Sequence, residues 1–501
     1  MENSPESNRD NIPRNSLFLL LSSFVGMGLG ILFWLLLSAI YDPELIGMAS
    51  STVTLANMIS GIILLGIPTG SRRGLGIARV EGRMDQFKTI MIISFIILSL
   101  TVSLASVIML IFLQQTAQTV GLAEQYILLA ISIMGLMATS AVLKGGFIAN
   151  LRAGTLFVAE ALSSVVRIIC AILLVSSGFG AYGAAMGYLA GHVLLLALLL
   201  SSSFFMLRKY SMNRNEMRLT TSDTLSASFP AWLPNIFTVL GSQLGVIIVQ
   251  GISGATESGL YFISYSFFIA MMAIPFSITS IAFPLISGMS EGRIDAVVKT
   301  IRVGLATTLP FVVILSVYPA PVLGIFGVVF IAASEMLLLF MISIPFVIIS
   351  NGILTYIYAK GNYRTALGLG LTSDLPKVLL YILLIPSWGG TGAAGAYLIG
   401  SLVSFVFAIL ISLRSSLNLC LRRMAVIVAI PATVGLISSL LFIPHLIGIP
   451  LIILVSVLGY TRLNLIQRVE LGEMIFAIMP EEKADTAVRK LTPLLDLLYG
   501  K

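Results

Sequence analysis

Charge is scarce in this chain: Asp, Glu, Lys and Arg make up only 10% of its 501 residues. Soluble domains carry about 25%, so an ordinary soluble enzyme is excluded. Cysteine and histidine are scarcer still. Cys170 and Cys420 provide neither a disulfide framework nor a metal set. His192 and His445 leave little material for acid–base catalysis. The sequence has no GxxxxGK[ST] phosphate loop, so ATP is not the direct energy source. It has no nucleophile–base constellation and no filter-like repeated loop of a channel. What is abundant is apolar: 57% of the residues are hydrophobic and the mean hydropathy is +1.03. A disordered chain is thereby excluded as well.

Fourteen apolar runs are long enough to span a bilayer, at ~20 residues each. The fold class is therefore an all-α integral membrane protein of about fourteen transmembrane helices. The first run, 16–40, is too long for a signal peptide's apolar core and reads as a retained helix. In the loops between runs, Lys and Arg fall only after even-numbered ones: Arg72, Arg73, Arg79, Arg83 and Lys88 after the second, Lys144 and Arg152 after the fourth, Arg208 to Arg218 after the sixth. Loops after odd-numbered runs hold acidic residues such as Asp42, Glu44, Glu124 and Glu257. Lys and Arg in short loops stay cytoplasmic, which places both termini inside a plasma membrane. The net charge of +7 is thus topological, and nucleic acid is excluded as a partner.

An internal repeat stands out. Residues 81–90 (EGRMDQFKTI) return as 291–301 (EGRIDAVVKTI), and 183–191 (GAAMGYLAG) as 392–400 (GAAGAYLIG). Glu44 and Gly47 are echoed more weakly by Glu257 and Gly259. The duplication predicts two pseudo-symmetric six-helix lobes around a central cavity, over 1–210 and 227–413, in the same orientation. Residues 211–226 read as a cytoplasmic connector, 414–461 as two additional helices, and 462–501 as a cytoplasmic amphipathic tail.

The residues that point to function are the ionisable groups inside helices. Run 155–176 contains Glu160 and Arg167; run 364–386 contains Asp374 and Lys377. Arg167 and Lys377 lie ~18–20 Å from the start of their helices, past the middle of a ~30 Å core. The offset of the Gly/Ala repeat maps Arg167 onto position 376, one residue from Lys377. A charge at that depth costs ~2.5–3.5 kcal/mol on insertion scales, so it faces a cavity or a partner. One reading makes Glu160–Arg167 and Asp374–Lys377 internal ion pairs that only hold helices together. The other makes Arg167 and Lys377 the cationic floor of a cavity for an anionic substrate, with Glu160 and Asp374 as supporting or proton-coupling groups. Arg72 and Arg73 read as cytoplasmic anchors or as phosphate ligands at a cavity mouth, and Lys144 chiefly as an anchor. Asn235 and Gln243 line a cavity or hydrogen-bond between helices. His192 reads as a satisfied helix-interior residue.

Several segments look familial: YDPELIGMAS (41–50), GIPTGSRRGLG (66–76), FIANLRAG (147–154), GAYGAAMGYLAG (180–191), ATESGLYFISYS (255–266) and GGTGAAGAYLIG (389–400). In their order and spacing they resemble the oligosaccharide and polysaccharide flippases of the multidrug/oligosaccharidyl-lipid/polysaccharide (MOP) exporter superfamily. The resemblance implies alternating access that moves a prenyl-diphosphate-linked oligosaccharide from the inner to the outer leaflet. It also implies cationic cavity residues for the diphosphate. Beside the resemblance, the expectation is a non-enzymatic protein among membrane lipids without a cofactor, and a monomer, because the two halves already complete a cavity. Coupling to H+ or Na+ stays open, because Gln243 stands where many relatives carry an acid in helix 7. Peptidoglycan-precursor flippases of the superfamily look like proteins with cavity arginines in helices 1, 2 and 8. Helices 1 and 8 here have none, which points away from that substrate. The alternatives are an ion-coupled multidrug exporter, which the Arg/Lys pair disfavours, and a membrane-embedded lipid-modifying transferase, for which the outer loops are too short.

Overall fold

The computed structural model describes residue 26 and residues 28–212, 217–289, 291–415, 417 and 419–466. Among the described residues there is no strand. In chain order the helices are α1 (Gly28–Ser38), α2 (Pro43–Ile63), α3 (Ile67–Val80), α4 (Met84–Ile111), α5 (Leu113–Val120) and α6 (Glu124–Ala149). α7 (Ala153–Leu174) runs through a π-helical turn, Val175–Phe179, into α8 (Gly180–Leu207). α9 (Met217–Ser253), α10 (Ala255–Gly288), α11 (Arg293–Val317), the short α12 (Pro319–Leu323), α13 (Ser334–Ala359), α14 (Tyr363–Arg414), α15 (Leu421–Leu440) and α16 (His445–Arg462) follow.

Eleven stretches among the described residues are long and apolar enough to cross a membrane. Two of them, Ala153–Leu207 and Arg364–Arg414, have 55 and 51 residues. At ~1.5 Å per residue each exceeds twice a ~30 Å core. Both bend at a glycine in a conformation that side chains resist: Gly180 has φ 54° and ψ −140°, Gly389 φ 52° and ψ −135°. Counting each as two crossings gives eleven plus two, or thirteen. The first expected run is represented by α1, its upstream part lying outside the described residues. The expected tail helix also lies outside them beyond residue 466. Of the expected connector, residues 217–226 are already α-helical as the start of α9.

The second expected span is broken. α2 stops at Ile63, Leu65 and Gly66 turn left-handed (φ 49° and 70°), and the chain restarts as α3. Only glycine fits at 66, because a Cβ there would sit 2.3 Å from the Ser228 carbonyl oxygen. The break strips helix partners from the last α2 carbonyls, and unpaired carbonyls in a bilayer cost several kcal/mol each. Side chains replace the lost bonds. Asn235 Nδ2 donates to Gly61 O (3.1 Å), Trp232 Nε1 to Ile62 O (2.7 Å) and Thr101 Oγ1 to Ile63 O (3.3 Å). The polar segment expected as a loop after residue 68 is thus a helix.

The described residues pack as two compact units, one within Met1–Ile263 plus Lys377–Ala393, the other within Ser264–Pro376 plus Ala394–Lys501. In the first unit α2, α6 and α8 pack around one another and α7 lies on α8. Here the Gly47/Gly259 echo has a physical meaning. A Cβ on Gly47 would lie 1.8 Å from Ala255 O, and one on Gly259 1.9 Å from Pro43 O, so each glycine admits the other helix's backbone. A buried polar knot, in which Gln250 accepts from Ser51 (3.1 Å) and donates to Gly121 O (3.3 Å), lies beside this contact. The EGR motif is a clamp in this unit: Asp85 accepts from the Ser211 N–H (2.7 Å) and Lys88 donates to Tyr210 O (2.6 Å), tying α4 to the end of α8. In the second unit α11 packs on α13 and carries the two additional helices, α15 and α16. Tyr318 donates to Ile443 O (3.0 Å) and packs with Ile314 and Ile452.

Candidate functional site

Arg167 stands 14 residues into α7 from Ala153, ~21 Å along the axis. It is fixed there by tight helix packing. Gly187 and Gly191 of α8 face α7, and a Cβ at Gly191 would lie 2.7 Å from Arg167 Cβ. Arg167 is 8% exposed, and its guanidinium packs against two touching rings: its carbon lies 5.0 Å from the Tyr188 centroid and 5.4 Å from that of Phe33, the rings themselves being 5.8 Å apart. Cation–π contacts in desolvated sites contribute ~2 kcal/mol, which offsets part of the cost of burying the charge. Trp34 and His192 extend the aromatic wall, stacked on Tyr188 at 6.5 and 4.9 Å. His192 Nδ1 lies 3.1 Å from Tyr188 O.

A cavity of about 230 Å³ opens beside Arg167, lined also by Lys144, Glu160, Ser163, Ser164 and His192. Lys144 Nζ is 2.8 Å from Glu160 Oε1, and both side chains keep partial exposure, 33% and 18%. Arg167 makes a long bond of 3.4 Å to Ser164 Oγ, and its buried Nε has no hydrogen-bond partner. A buried guanidinium with an unsatisfied donor beside a polar cavity is suited to an acceptor from outside the protein. With the ammonium of Lys144 opposite, the cavity is suited to an anion, and the planar fork of Arg suits phosphate.

The structure brings only part of the expected set together. Glu160 forms an ion pair with Lys144 of α6, a partner that neither reading of the sequence named. Lys144, read chiefly as an anchor, and His192, read as a helix-interior residue, both line the cavity. Lys377 and Asp374 are buried in α14, 5% and 7% exposed, and do not line it. Lys377 stands 14 residues from Tyr363, the same depth as Arg167, so the two cations are direct counterparts rather than one residue apart. Arg72 of α3 crosses Gly145, and burial holds its pKa, like that of Arg79, below the ordinary value. The Arg73 side chain lies outside the described residues. Asn235 is committed to Gly61 O, and Gln243 is half-buried on α9. Tyr188, Phe33 and the serines were not singled out in the sequence. The one available signal was Tyr188 in the GAAMGYLAG repeat, one helical turn before His192.

Known proteins share this fold. An inward-facing multidrug-resistance transporter of the MATE family of the MOP superfamily superposes with a TM-score of 0.61 at 16% identity, covering 81% of this chain and 98% of that one. The lipid II flippase MurJ in an inward closed conformation gives 0.57 at 15%, covering 83% and 95%. A MOP superfamily transporter from Pyrococcus furiosus, described as having a binding pocket of reverse polarity, gives 0.55 at 15%, covering 81% and 96%. No curated protein sequence matches the chain. The superfamily expected from the motifs is the one found; within it, the matching family model is that of the peptidoglycan-precursor branch. That model spans residues 80–457 of the 501, and the chain belongs to the family described as lipid II flippase MurJ.

Proposed function

We propose that this multi-pass membrane protein flips a prenyl-diphosphate-linked glycan from the inner to the outer leaflet of the plasma membrane by alternating access. The observation that carries this reading is Arg167: a cation buried in a span, with an unpartnered Nε beside a cavity it shares with Lys144. A drug exporter for cations gains nothing from that arrangement, whereas a diphosphate headgroup does. In this reading the diphosphate sits at Arg167, with Lys377 as the equivalent cation of the second repeat. Arg72 and Arg73 meet the headgroup on the cytoplasmic side, Gln243 faces the sugars, and the prenyl tail stays in lipid. Both termini are cytoplasmic, the protein works as a monomer without catalysis or cofactor, and an H+ or Na+ gradient drives the cycle. Family membership makes lipid II the first glycan to try, although helices 1 and 8 lack basic residues.

Thermal stabilisation of the purified protein tests this. A short-chain prenyl-diphosphate sugar at 100 times its Kd adds ~2.7 kcal/mol, which a melting curve resolves. The expected result is stabilisation of the wild type that disappears in a folded Arg167→Ala/Lys377→Ala variant. Stabilisation by a cationic dye alone would overturn the flippase reading in favour of a drug exporter.

A further inference from the structure

We propose that Glu160 is an internal counter-anion: it occupies Lys144 in the empty carrier, and the substrate's phosphate must displace it to bind. This rests on the reading that an anionic lipid headgroup enters the Arg167 cavity.

The geometry divides the two cations of the cavity. Arg167 is held in place, packed against the touching rings of Phe33 and Tyr188 and wedged against Gly191, with its Nε left unpaired. Lys144 is one-third exposed on a flexible stem and already neutralised, at 2.8 Å, by Glu160. Among the described residues, the charged and titratable groups lining this space are Lys144, Arg167, Glu160, His192 and Tyr188, so Glu160 is the one acid among them. It approaches from the same helix as Arg167, seven residues earlier, yet is drawn to α6. A pair whose only use is to hold α6 to α7 has no reason to keep its charged ends open to a ligand-sized cavity, since such pairs add little over apolar packing.

A transporter needs this compromise. Two free cations in a site partly shielded from water would hold a diphosphate too firmly to release it. With Glu160 present, incoming phosphate trades one acceptor on Lys144 for another, and only the interaction with Arg167 is gained outright. On the far side Glu160 returns to Lys144 as the headgroup leaves. Glu160 therefore sets affinity without touching substrate, as a positioning residue that acts through Lys144.

The test measures binding and flipping by the full-length protein in lipid nanodiscs and vesicles, with a short-chain prenyl-diphosphate sugar and inorganic diphosphate as probes. Glu160→Gln is expected to bind the lipid probe about tenfold tighter, the effect of ~1.4 kcal/mol, and to flip it more slowly at saturation. The gain should vanish in Glu160→Gln/Lys144→Gln, where the released cation is missing. If Glu160→Gln fails to fold, Glu160→Asp, which withdraws the carboxylate by one methylene, should show a smaller gain in affinity. Wild-type or weaker affinity in a folded Glu160 variant, while Arg167→Ala still loses binding, overturns the counter-anion role and leaves the flippase reading standing. Unchanged binding in Arg167→Ala overturns both. A gain confined to inorganic diphosphate would mark a site for the free anion and overturn the role in lipid transport.

Discussion

The two copies of the duplicated helix pair share a backbone and differ in chemistry. Each begins 14 residues before its cation, at Ala153 and Tyr363, and each turns at a glycine with nearly the same φ and ψ, Gly180 and Gly389. Between cation and glycine the first copy has 13 steps (167 to 180) and the second 12 (377 to 389). The extra residue is absorbed as the π-helical turn Val175–Phe179, a common way for a helix to take up an insertion. This explains why the offset is 210 between the two cations and 209 after the turn. The side chains have diverged further. Where the first copy has Ser164 one turn before its cation, the second has Asp374; where the first has Gly187, the second has a fully buried Ala396. In the second copy the turn also has an acceptor, since the Gly390 N–H donates to Glu257 (3.1 Å), the residue read as an outer-loop charge. Duplication has kept the device that turns the chain in the membrane and left the electrostatics free to specialise.

Breaking the close packing at Gly187, where the second copy has alanine, should give the largest effect. A Cβ at Gly187 would lie 2.4 Å from Ala171 N and 2.5 Å from its Cα, both on the α7 helix, so neither can yield without moving the helix. Gly187→Ala is expected to cost ~3 kcal/mol by overpacking and to shift Arg167 against its aromatic wall. Ala396→Gly, the reciprocal change, should cost only ~1 kcal/mol, the ordinary helix penalty of glycine. Melting curves of the two variants measure the difference; equal shifts would show that the copies pack alike. A smaller effect is expected from exchanging the cations. Arg167→Lys keeps the charge but loses the planar fork and most of the stacking on Phe33 and Tyr188. It should bind the prenyl-diphosphate probe about tenfold more weakly, a loss of ~1.4 kcal/mol. Lys377→Arg in the same background should not restore binding, because Lys377 does not line that cavity. Recovery in the double exchange would mean that the two positions share one site.

The long elements were legible in the sequence because their signal is composition over many residues. Apolar runs marked the spans, and the repeated EGR and Gly/Ala segments marked the duplication. The depth of Arg167 followed from counting along one helix. What could not be read depends on helix rotation and on contacts between helices. Lys144 and Glu160 are 16 positions apart on different helices, and nothing in their spacing pairs them rather than Glu160 with Arg167. Tyr188 looked like one more apolar residue of a span until the packing of α8 on α7 aimed it at a guanidinium. The α2–α3 break was hidden for another reason. α3 carries Ser71, Arg72, Arg73 and Arg79 within 14 residues, so a hydropathy reading sees a loop where an amphipathic helix stands.

That break is also a difference between the repeats, since α10 runs unbroken for 34 residues from Ala255 to Gly288. The first copy therefore needs acceptor-seeking side chains that the second does without, and Asn235 is one of them. Asn235→Ala removes the donor to Gly61 O and should lower stability by ~1 kcal/mol, the usual net value of one such bond. Its effect on affinity for the prenyl-diphosphate probe should be negligible, because the amide is spent on the backbone rather than turned to a sugar. A melting curve and a binding isotherm on the same sample separate the two roles. A loss of affinity with unchanged stability would return Asn235 to the substrate path. Lower stability with intact binding would mean that the break in the first copy is held open by α9, independently of the anion chemistry that distinguishes the two copies at Arg167.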